Sequence, residues 1–281
     1  MRTGHSDRLD LGPLETAGPG PAIDAARKAP SLHWSDGYYG DLYRESTADL
    51  LTPALSSLEA SVIARLLALR PGQRVLDLAC GEGRHALLLA GRARVMGVDR
   101  SADYLRRAAG AGRARNRPGF VRADLRALPL PDGALDAVYS WYASLFMYDE
   151  AGNVAALGEL ARVLRPGGRC LVQHSNPLRL ALEPVAAARR SLPDGSVVEE
   201  EATFDPATGV ERAHRRLVRP DGSVQAGTAV LRHYRAEEWE LLARGAGLRL
   251  LELTSTVPRS TGGSGAPGPE AVDLIAVMEK A

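Results

Sequence analysis

The chain has 281 residues, of which 45% are apolar and 25% charged, and its net charge at pH 7 is +1. This length allows one large core, or one core with an attached lid, in an ordinary globular protein. The balanced charge, and the lack of any apolar run near the roughly 20 residues of a membrane span, argue against nucleic acid and membranes as partners.

The N-terminal part of the chain changes character near residue 30. Residues 1–30 are rich in Gly, Pro and Ala without a clear period, which predicts a flexible leader. Residues 31–72 concentrate aromatics and then form an amphipathic helix, predicted over Leu58–Leu69 and closed by "RPG".

Buried strands and helices then alternate regularly. Strands are predicted at 74–79, 94–99, 120–124, 135–140 and 169–175, and helices at 83–92, 101–112 and 150–164. This alternation indicates an α/β fold of the Rossmann-like, doubly wound type, mostly parallel and with helices on both faces. We assign its core to residues 73–176.

The pattern changes again after Leu192. Three strand-like segments, at 196–205, 209–220 and 223–234, are joined by the turn signals "PATG" and "PDG". They predict an inserted antiparallel β lid within residues 177–234, which we expect to cover the acceptor. Residues 235–281 return to the core sheet through a helix at 236–247 and strands at 248–255 and 271–280, the last of them antiparallel. The segment 258–270 between these strands is predicted to be a mobile loop.

Acids end three successive strands of this core. In "VLDLACGEGRHA" the first strand ends in Asp77 and turns through glycines, the second strand ends in Asp99, and the third in Asp124. The carboxyl ends of parallel strands meet at one edge of the sheet, where ligands bind. A carboxylate at Asp99 can accept both hydroxyls of a ribose, and Asp124 suits an exocyclic amine. The sequence therefore predicts a nucleoside site.

Together these motifs resemble the class I S-adenosylmethionine-dependent methyltransferases of the small-molecule, natural-product branch. The family's motif of an acid followed by x-Gly-x-Gly-x-Gly is present, with Ala79 in place of the first glycine, and "ARVLRPGGRCLV" resembles its approach to the fifth strand. The resemblance implies S-adenosylmethionine as cofactor and S-adenosylhomocysteine as product. It implies these cofactor-binding residues in the core: Asp77, Ala79, Gly81, Gly83, Asp99, Arg100, Asp124 and Leu125.

Two flanking segments complete the site that the resemblance implies. An N-terminal helix should close over the cofactor with Tyr43 and Tyr39, and with Tyr38 facing the acceptor, although a helix that only packs its aromatics on the sheet remains an alternative. After the fourth strand the expected residues are Ser140 and Trp141 for the cofactor, and Tyr142, Phe146 and Tyr148 for the acceptor pocket. Core packing is an alternative for Phe146 and Tyr148.

The chemistry requires few further groups. His174 ends the fifth strand and is a candidate general base, against the favoured alternative of a hydrogen-bonded rim histidine. The sequence shows no suitable arrangement of metal-binding acids, so no metal is expected. The two cysteines, Cys80 and Cys170, have no CxxC spacing, which argues against a disulfide framework or zinc site and fits the cytoplasm.

The predicted function is transfer of a methyl group to an O, N or C nucleophile of a small organic molecule, such as a specialised metabolite. Three alternatives stay open: a cyclase-like or binding role on the same fold, an RNA methyltransferase, and an NAD oxidoreductase. An acid at Asp77 and Glu82 inside the loop would oppose the pyrophosphate of NAD. The sequence does not give the oligomeric state.

Overall fold

A computed structural model describes residues 37–111, 117–142, 144–256 and 266–281. The predicted leader, the start of the capping segment and most of the predicted loop at 258–270 lie outside these ranges. In the described ranges the helices are α1 (Asp41–Thr47), α2 (Pro53–Leu66), α3 (Arg84–Leu89), α4 (Ala102–Ala111), α5 (Glu150–Val163), α6 (Pro177–Leu182) and α7 (Ala236–Gly245). The strands are β1 (Arg74–Leu78), β2 (Arg94–Asp99), β3 (Gly119–Arg122), β4 (Leu135–Ser140), β5 (Leu164–Ser175), β6 (Val185–Ser191), β7 (Val197–Asp205), β8 (Val210–Val218), β9 (Val224–Arg232), β10 (Leu248–Thr254) and β11 (Asp273–Lys280).

The central sheet has seven strands in the order β10-β11-β5-β4-β1-β2-β3. Strands β1 to β5 pair in parallel, and β11 is antiparallel to both of its neighbours. The Rossmann-like fold with an antiparallel last strand is thereby confirmed. The order reverses at β1, which lies between β4 and β2, and such a switch point leaves a crevice at the carboxyl ends of the strands.

Side chains of β1 alternate between the two faces of the sheet, as in any strand. Leu76 packs in the cluster that includes α5 and α7, and Val75 packs in the cluster that includes α2 and α3. Asp77 therefore points to the same face as Val75, toward the first turn of α3. A buried acid is thus placed beside the glycine turn by the register of the strand alone.

The inserted segment forms a separate antiparallel sheet in the order β6-β7-β8-β9, which confirms the predicted inserted antiparallel β structure. It has four strands where the sequence predicted three. Strand β6 was missed because all of its residues but Arg190 are exposed and "VAAARRS" has no apolar alternation.

The inner face of this second sheet packs on α1. Tyr38 and Leu42 of the α1 region share a buried cluster with Val198 and Leu217 of the sheet. The guanidinium of Arg215 lies over the rings of Tyr38 and Tyr43, at 5.3 and 5.5 Å from their centroids. The sheet thus supports α1 from behind. In the described part of the chain, none of the helices has the length and apolar character to cross a membrane.

Candidate active site

A cavity of about 820 Å³ opens at the carboxyl ends of β1 and β2. Its volume lies in the upper part of the range of about 300–1,000 Å³ that is typical of small-molecule sites. Helix α1, the first turns of α2, α3 and α4, and the loop after β4 form its walls. The predicted site residues that line it are Tyr39, Tyr43, Asp77, Ala79, Gly81, Asp99, Arg100, Leu125, Trp141, Tyr142 and Tyr148.

The described residues on the cavity wall include none from the four-stranded sheet. The second sheet packs against α1, and α1 in turn forms part of the cavity wall. The expectation that the inserted segment covers the acceptor stays a prediction, and the described wall of this cavity is built in part from α1 and the loop after β4.

The turn after β1 has left-handed backbone at three positions. These are Ala79, Gly81 and Gly83, with φ values of 61°, 55° and 73°. Gly83 does not line the cavity, and a Cβ there would lie 2.7 Å from the ring of Phe120. Gly83 is thus needed for close packing of the turn on β3, whereas the backbone at Gly81 is on the cavity wall.

Ala79 is strained in this turn, because L-residues rarely adopt positive φ. We expect Ala79→Gly to stabilise the protein by about 1 kcal/mol, measured as a shift of the urea midpoint without a change in slope. Ala155→Gly, on the exposed side of α5, is the control and should destabilise by about 1 kcal/mol. If both variants lose stability equally, the turn at Ala79 is not strained.

Asp77 is a buried acid with an unsatisfied oxygen. Its side chain lies on the cavity wall, the residue is 3% exposed, and Oδ2 makes no hydrogen bond of normal distance and angle in the described structure. The buried Tyr139 hydroxyl, which likewise makes no such bond, interacts with this carboxyl and acts to lower its pKa. Burial raises the pKa of Asp77 to about 7. A buried orphan acceptor is unfavourable unless a ligand supplies the donor. The ammonium group of an amino acid fits this requirement, so the residues present fit the cofactor that the sequence implies.

Asp99 is held ready for a second polar group. Its Oδ1 accepts the backbone N–H of Ser101 at 2.8 Å, and its Oδ2 accepts that of Gly81 at 2.9 Å. Burial raises the pKa of Asp99, while these amides act in the opposite direction. Each oxygen keeps a further lone pair for a ligand hydroxyl.

Asp124 lies outside the cavity wall. Arg126 holds its carboxylate with two side-chain bonds of 2.8 and 3.0 Å, and the Tyr148 hydroxyl is 3.4 Å from Oδ1. The hydrogen bond from Arg126 is the main cause that lowers the pKa of Asp124 to about 2. The expected contact with an exocyclic amine would require Arg126 to share this carboxylate. Its neighbour Leu125 does line the cavity.

Three further predicted residues are buried away from the cavity wall. Ser140 is fully buried, and its hydroxyl has no partner in the described structure. Phe146 packs edge-on against Tyr234, with ring centroids 4.7 Å apart. Tyr38 packs against the second sheet instead of facing the acceptor. For Phe146 and Tyr38 the expectation of an acceptor pocket is wrong, because α7 and the second sheet cover these rings.

His174 does not have the exposure that a general base requires. It is fully buried and stacks on Trp239 at an interplanar angle of 15°. Trp239 Nε1 donates to His174 Nε2 at 3.2 Å, so the proton of His174 is on Nδ1, which lies 2.7 Å from the carbonyl of Ser175. Burial lowers the pKa of His174 to about 3. The candidate base is therefore corrected to a structural histidine, because α7 closes over the end of β5.

Glu59 is a buried acid beside the cavity-wall residues that the sequence analysis did not single out. It is 3% exposed and accepts hydrogen bonds from Arg84 and His85 at Oε2, and from Trp141 and Tyr142 at Oε1. Although burial acts to raise it, the hydrogen bonds from His85 and Tyr142 and the charge of Arg84 lower the pKa of Glu59 to about 2. An acid within the apolar face of "LEASVIARLLAL" was the available signal.

Comparisons with known proteins show which family the chain is similar to. The methyltransferase domain family matches residues 75–168. A demethylmenaquinone methyltransferase from Beutenbergia cavernae is 35% identical over 187 residues, which cover 60% of this chain and 75% of the relative.

Among solved structures, the CcbJ methyltransferase from Streptomyces caelestis is similar at a TM-score of 0.73 and 26% identity, over 88% of this chain and 98% of that one. CalS10, an amino pentose methyltransferase from Micromonospora echinaspora with S-adenosylmethionine bound, has a TM-score of 0.60 at 16% identity, over 86% of this chain and 98% of that one, and shows the shared fold.

Proposed function

This chain belongs to the S-adenosylmethionine-dependent methyltransferases, and from this premise we propose that its cavity seats the cofactor and a small organic acceptor side by side. The protein is an enzyme that transfers a methyl group to small molecules. The proposal concerns which residues hold the two partners and what kind of acceptor the cavity takes.

The observation that carries the proposal is the pair of buried carboxylates on one cavity wall. Asp77 has an oxygen without a partner, and Asp99 is oriented by two backbone amides. Asp77 would hold the ammonium end of the cofactor and Asp99 the ribose hydroxyls, while the backbone at Gly81 leaves room between them. The cofactor supplies an electrophilic methyl group on a sulfonium ion.

The chain's own contribution to the reaction is alignment and exclusion of water. In-line displacement, in which the acceptor–methyl bond forms as the methyl–sulfur bond breaks to release the neutral thioether, would require the cavity walls to fix both partners within a narrow geometry. In the described part of the chain, His85 is the histidine on the cavity wall; its Nε2 is 2.9 Å from Glu59, and burial lowers its pKa. We therefore propose an acceptor that needs no strong enzymatic base, such as an amine or an already acidic hydroxyl.

The walls also favour an acceptor with an aromatic or apolar body. Tyr142, Tyr148, Met147 and Leu51 line the part of the cavity near α1 and the loop after β4. Tyrosine faces bind aromatic rings well, and their hydroxyls can orient a polar substituent. Relatives named as a demethylmenaquinone methyltransferase and as an O-methyltransferase support a small organic acceptor, and we propose a specialised metabolite.

The proposal also covers the cellular compartment and the partners of the enzyme. We propose a cytoplasmic enzyme that works without nucleic acid, membrane or metal partners. Both cysteines are free and buried, which is consistent with a reducing compartment. The described residues contain no group of three or more potential metal ligands.

Calorimetric titration with S-adenosylmethionine, S-adenosylhomocysteine and NAD tests the seat. We expect micromolar binding of the two sulfur nucleosides and none of NAD, with Asp99→Ala weakening binding at least about 10-fold through the loss of charge-assisted hydrogen bonds. Asp103→Ala, on α4 and away from the turn, is the matched control. Binding of NAD alone would overturn the proposal.

Methylation itself is tested by a panel of phenols and amines with mass detection. Methylated product and S-adenosylhomocysteine should form in equal amounts. Cofactor binding together with an acceptor that is transformed without gaining a methyl group would instead establish the cyclase-like alternative.

A further inference from the structure

We infer that Arg84 binds the carboxylate of the cofactor's amino-acid end, and that Glu59 is the positioning residue that holds Arg84 in place. This inference rests on the proposed cofactor seat. It concerns two residues to which the sequence analysis gave no role, and it assigns a carboxylate-binding site on the same cavity wall as the ammonium-binding site at Asp77.

Arg84 has one partnered and one unpartnered terminal nitrogen. It is the first residue of α3, directly after the glycine turn, and it lines the cavity. Its Nη1 donates to Glu59 Oε2 and to Ser56 Oγ, the latter at 3.1 Å. Its Nη2 is buried and has no hydrogen-bond partner in the described structure. A buried guanidinium N–H without an acceptor is unfavourable, so a ligand that supplies an anionic oxygen would be stabilised here.

The unpartnered atoms on this wall have complementary charges. Asp77 lacks a donor at Oδ2, and Arg84 lacks an acceptor at Nη2. A zwitterionic amino-acid group carries a cation and an anion on neighbouring atoms and can satisfy both at once. The sulfonium ion cannot serve Arg84, since both are cations. The ribose hydroxyls are neutral and belong with Asp99.

Glu59 and Tyr142 fix the guanidinium from two sides. Glu59 binds Arg84 through Oε2 and the Tyr142 hydroxyl through Oε1, the latter at 2.6 Å. The guanidinium carbon lies 5.2 Å from the centroid of the Tyr142 ring, a cation–π distance. Tyr142 has a left-handed backbone with φ of 61°, an unfavourable conformation for a bulky residue. Strain of this kind persists where the surroundings determine it, which suits a preorganised binding group.

Two of the other arginines on the cavity wall are already neutralised by acids. Arg44 donates to Asp41 at 2.8 Å and to Glu45 at 2.8 Å. Arg107 lies between Asp103 and Glu82, at 3.2 and 3.8 Å. Neither has the combination of a buried unpaired nitrogen and a rigid support that Arg84 has.

The test compares two ligands that differ by one group. S-adenosylhomocysteine has the ammonium and the carboxylate, and its decarboxylated analogue keeps only the ammonium. By calorimetry, the unmodified protein should prefer S-adenosylhomocysteine about 10- to 100-fold, the range expected for a charge-assisted hydrogen bond. Arg84→Gln should erase that preference by weakening S-adenosylhomocysteine alone.

Three further variants separate recognition from folding. Arg84→Lys should restore part of the preference, since it returns the charge without the planar fork. Glu59→Gln should reduce the preference without erasing it, because the guanidinium remains but loses its support. Arg44→Gln, the matched control, should leave the preference unchanged.

The outcomes separate the proposed role of Arg84 from the proposed cofactor seat. Equal weakening of both ligands by Arg84→Gln, or loss of the preference in Arg44→Gln, would overturn the role of Arg84 while the cofactor seat stands. If the unmodified protein binds neither ligand, the proposed function fails and this inference fails with it.

Discussion

Asp77→Asn is expected to weaken S-adenosylhomocysteine binding about 30-fold or more and, at the same time, to stabilise the ligand-free protein. Truncating one partner of a buried charge pair removes about 2–5 kcal/mol of binding free energy. Asn retains the shape and one oxygen of Asp77, but it has no charge to pair with an ammonium group. The same neutrality removes the penalty of burying an unpaired carboxylate.

The stabilisation depends on pH in a defined direction. Burial raises the pKa of Asp77 to about 7 in the folded state, well above its ordinary value in an unfolded chain. The folded state therefore holds a proton that the unfolded state has lost, and the stability of the unmodified protein falls as pH rises from about 4 to 7. Asp77→Asn has no such dependence. Its advantage should be small at pH 4 and should reach on the order of 4 kcal/mol at pH 8, at about 1.36 kcal/mol per pKa unit.

Urea unfolding of both proteins at pH 4.5, 6 and 8 measures this effect, and calorimetry at pH 8 measures the binding. Asp103→Asn, at a half-exposed position of α4 outside the cavity wall, should change neither quantity. A variant that binds as tightly as the unmodified protein would remove Asp77 from the cofactor seat. Equal stability at all three pH values would mean that the carboxylate is not buried unpaired.

Glu59→Ala is expected to lower the free energy of unfolding by about 3–5 kcal/mol, the usual result of removing one partner of a buried ion pair. Four donors from two segments converge on this carboxylate: Arg84, His85, Trp141 and Tyr142. Without Glu59 the ring N–H groups of His85 and Trp141 lose their acceptor in a dry environment. The variant should also release the loop after β4 from α2.

The stabilisation by the ion pair between Glu59 and Arg84 should be lost at low pH. The folded-state pKa of Glu59 is about 2, below its ordinary value, so its contribution is complete above about pH 4.5 and is lost as pH falls toward 2. Guanidinium unfolding at pH 7 and pH 3 measures the difference between the two proteins. The difference in the free energy of unfolding between the unmodified protein and Glu59→Ala should be smaller at pH 3 than at pH 7.

The control for Glu59→Ala is Glu240→Ala, which removes an exposed partner of Arg244 on α7. Exposed pairs of this kind contribute at most about 1 kcal/mol. Similar losses in the two variants would contradict the role of Glu59 as a buried hub.

The sequence predicted the parts of the molecule that depend on local pattern. Buried strands alternating with helices gave the parallel sheet, and the placement of Asp77 and Asp99 at strand ends followed from the common edge of such a sheet. The antiparallel last strand and the inserted sheet were also confirmed. These features depend on periodicity and turn residues, which a single sequence contains.

The features that the sequence missed depend on what covers a residue from elsewhere in the chain. His174 and Phe146 are close to the rim in sequence order, but Trp239 of α7 packs on both. Glu59 lies in a helix whose pattern is apolar, and its four donors come from other segments. The positive φ at Ala79 could not be predicted from the exchange of a glycine for an alanine, because residue type alone does not report φ.

The support of α1 by the second sheet has a consequence for how this enzyme can diverge. Tyr43 forms part of the ligand wall, and Arg215 of β8 lies over its ring from the outer side. A mutation in the inserted sheet can therefore change the position of Tyr43 on the cavity wall through Arg215, without replacing a residue that lines the cavity. Such a mutation would leave Asp77 and Asp99 unchanged, because these carboxylates belong to the core strands and not to the inserted segment.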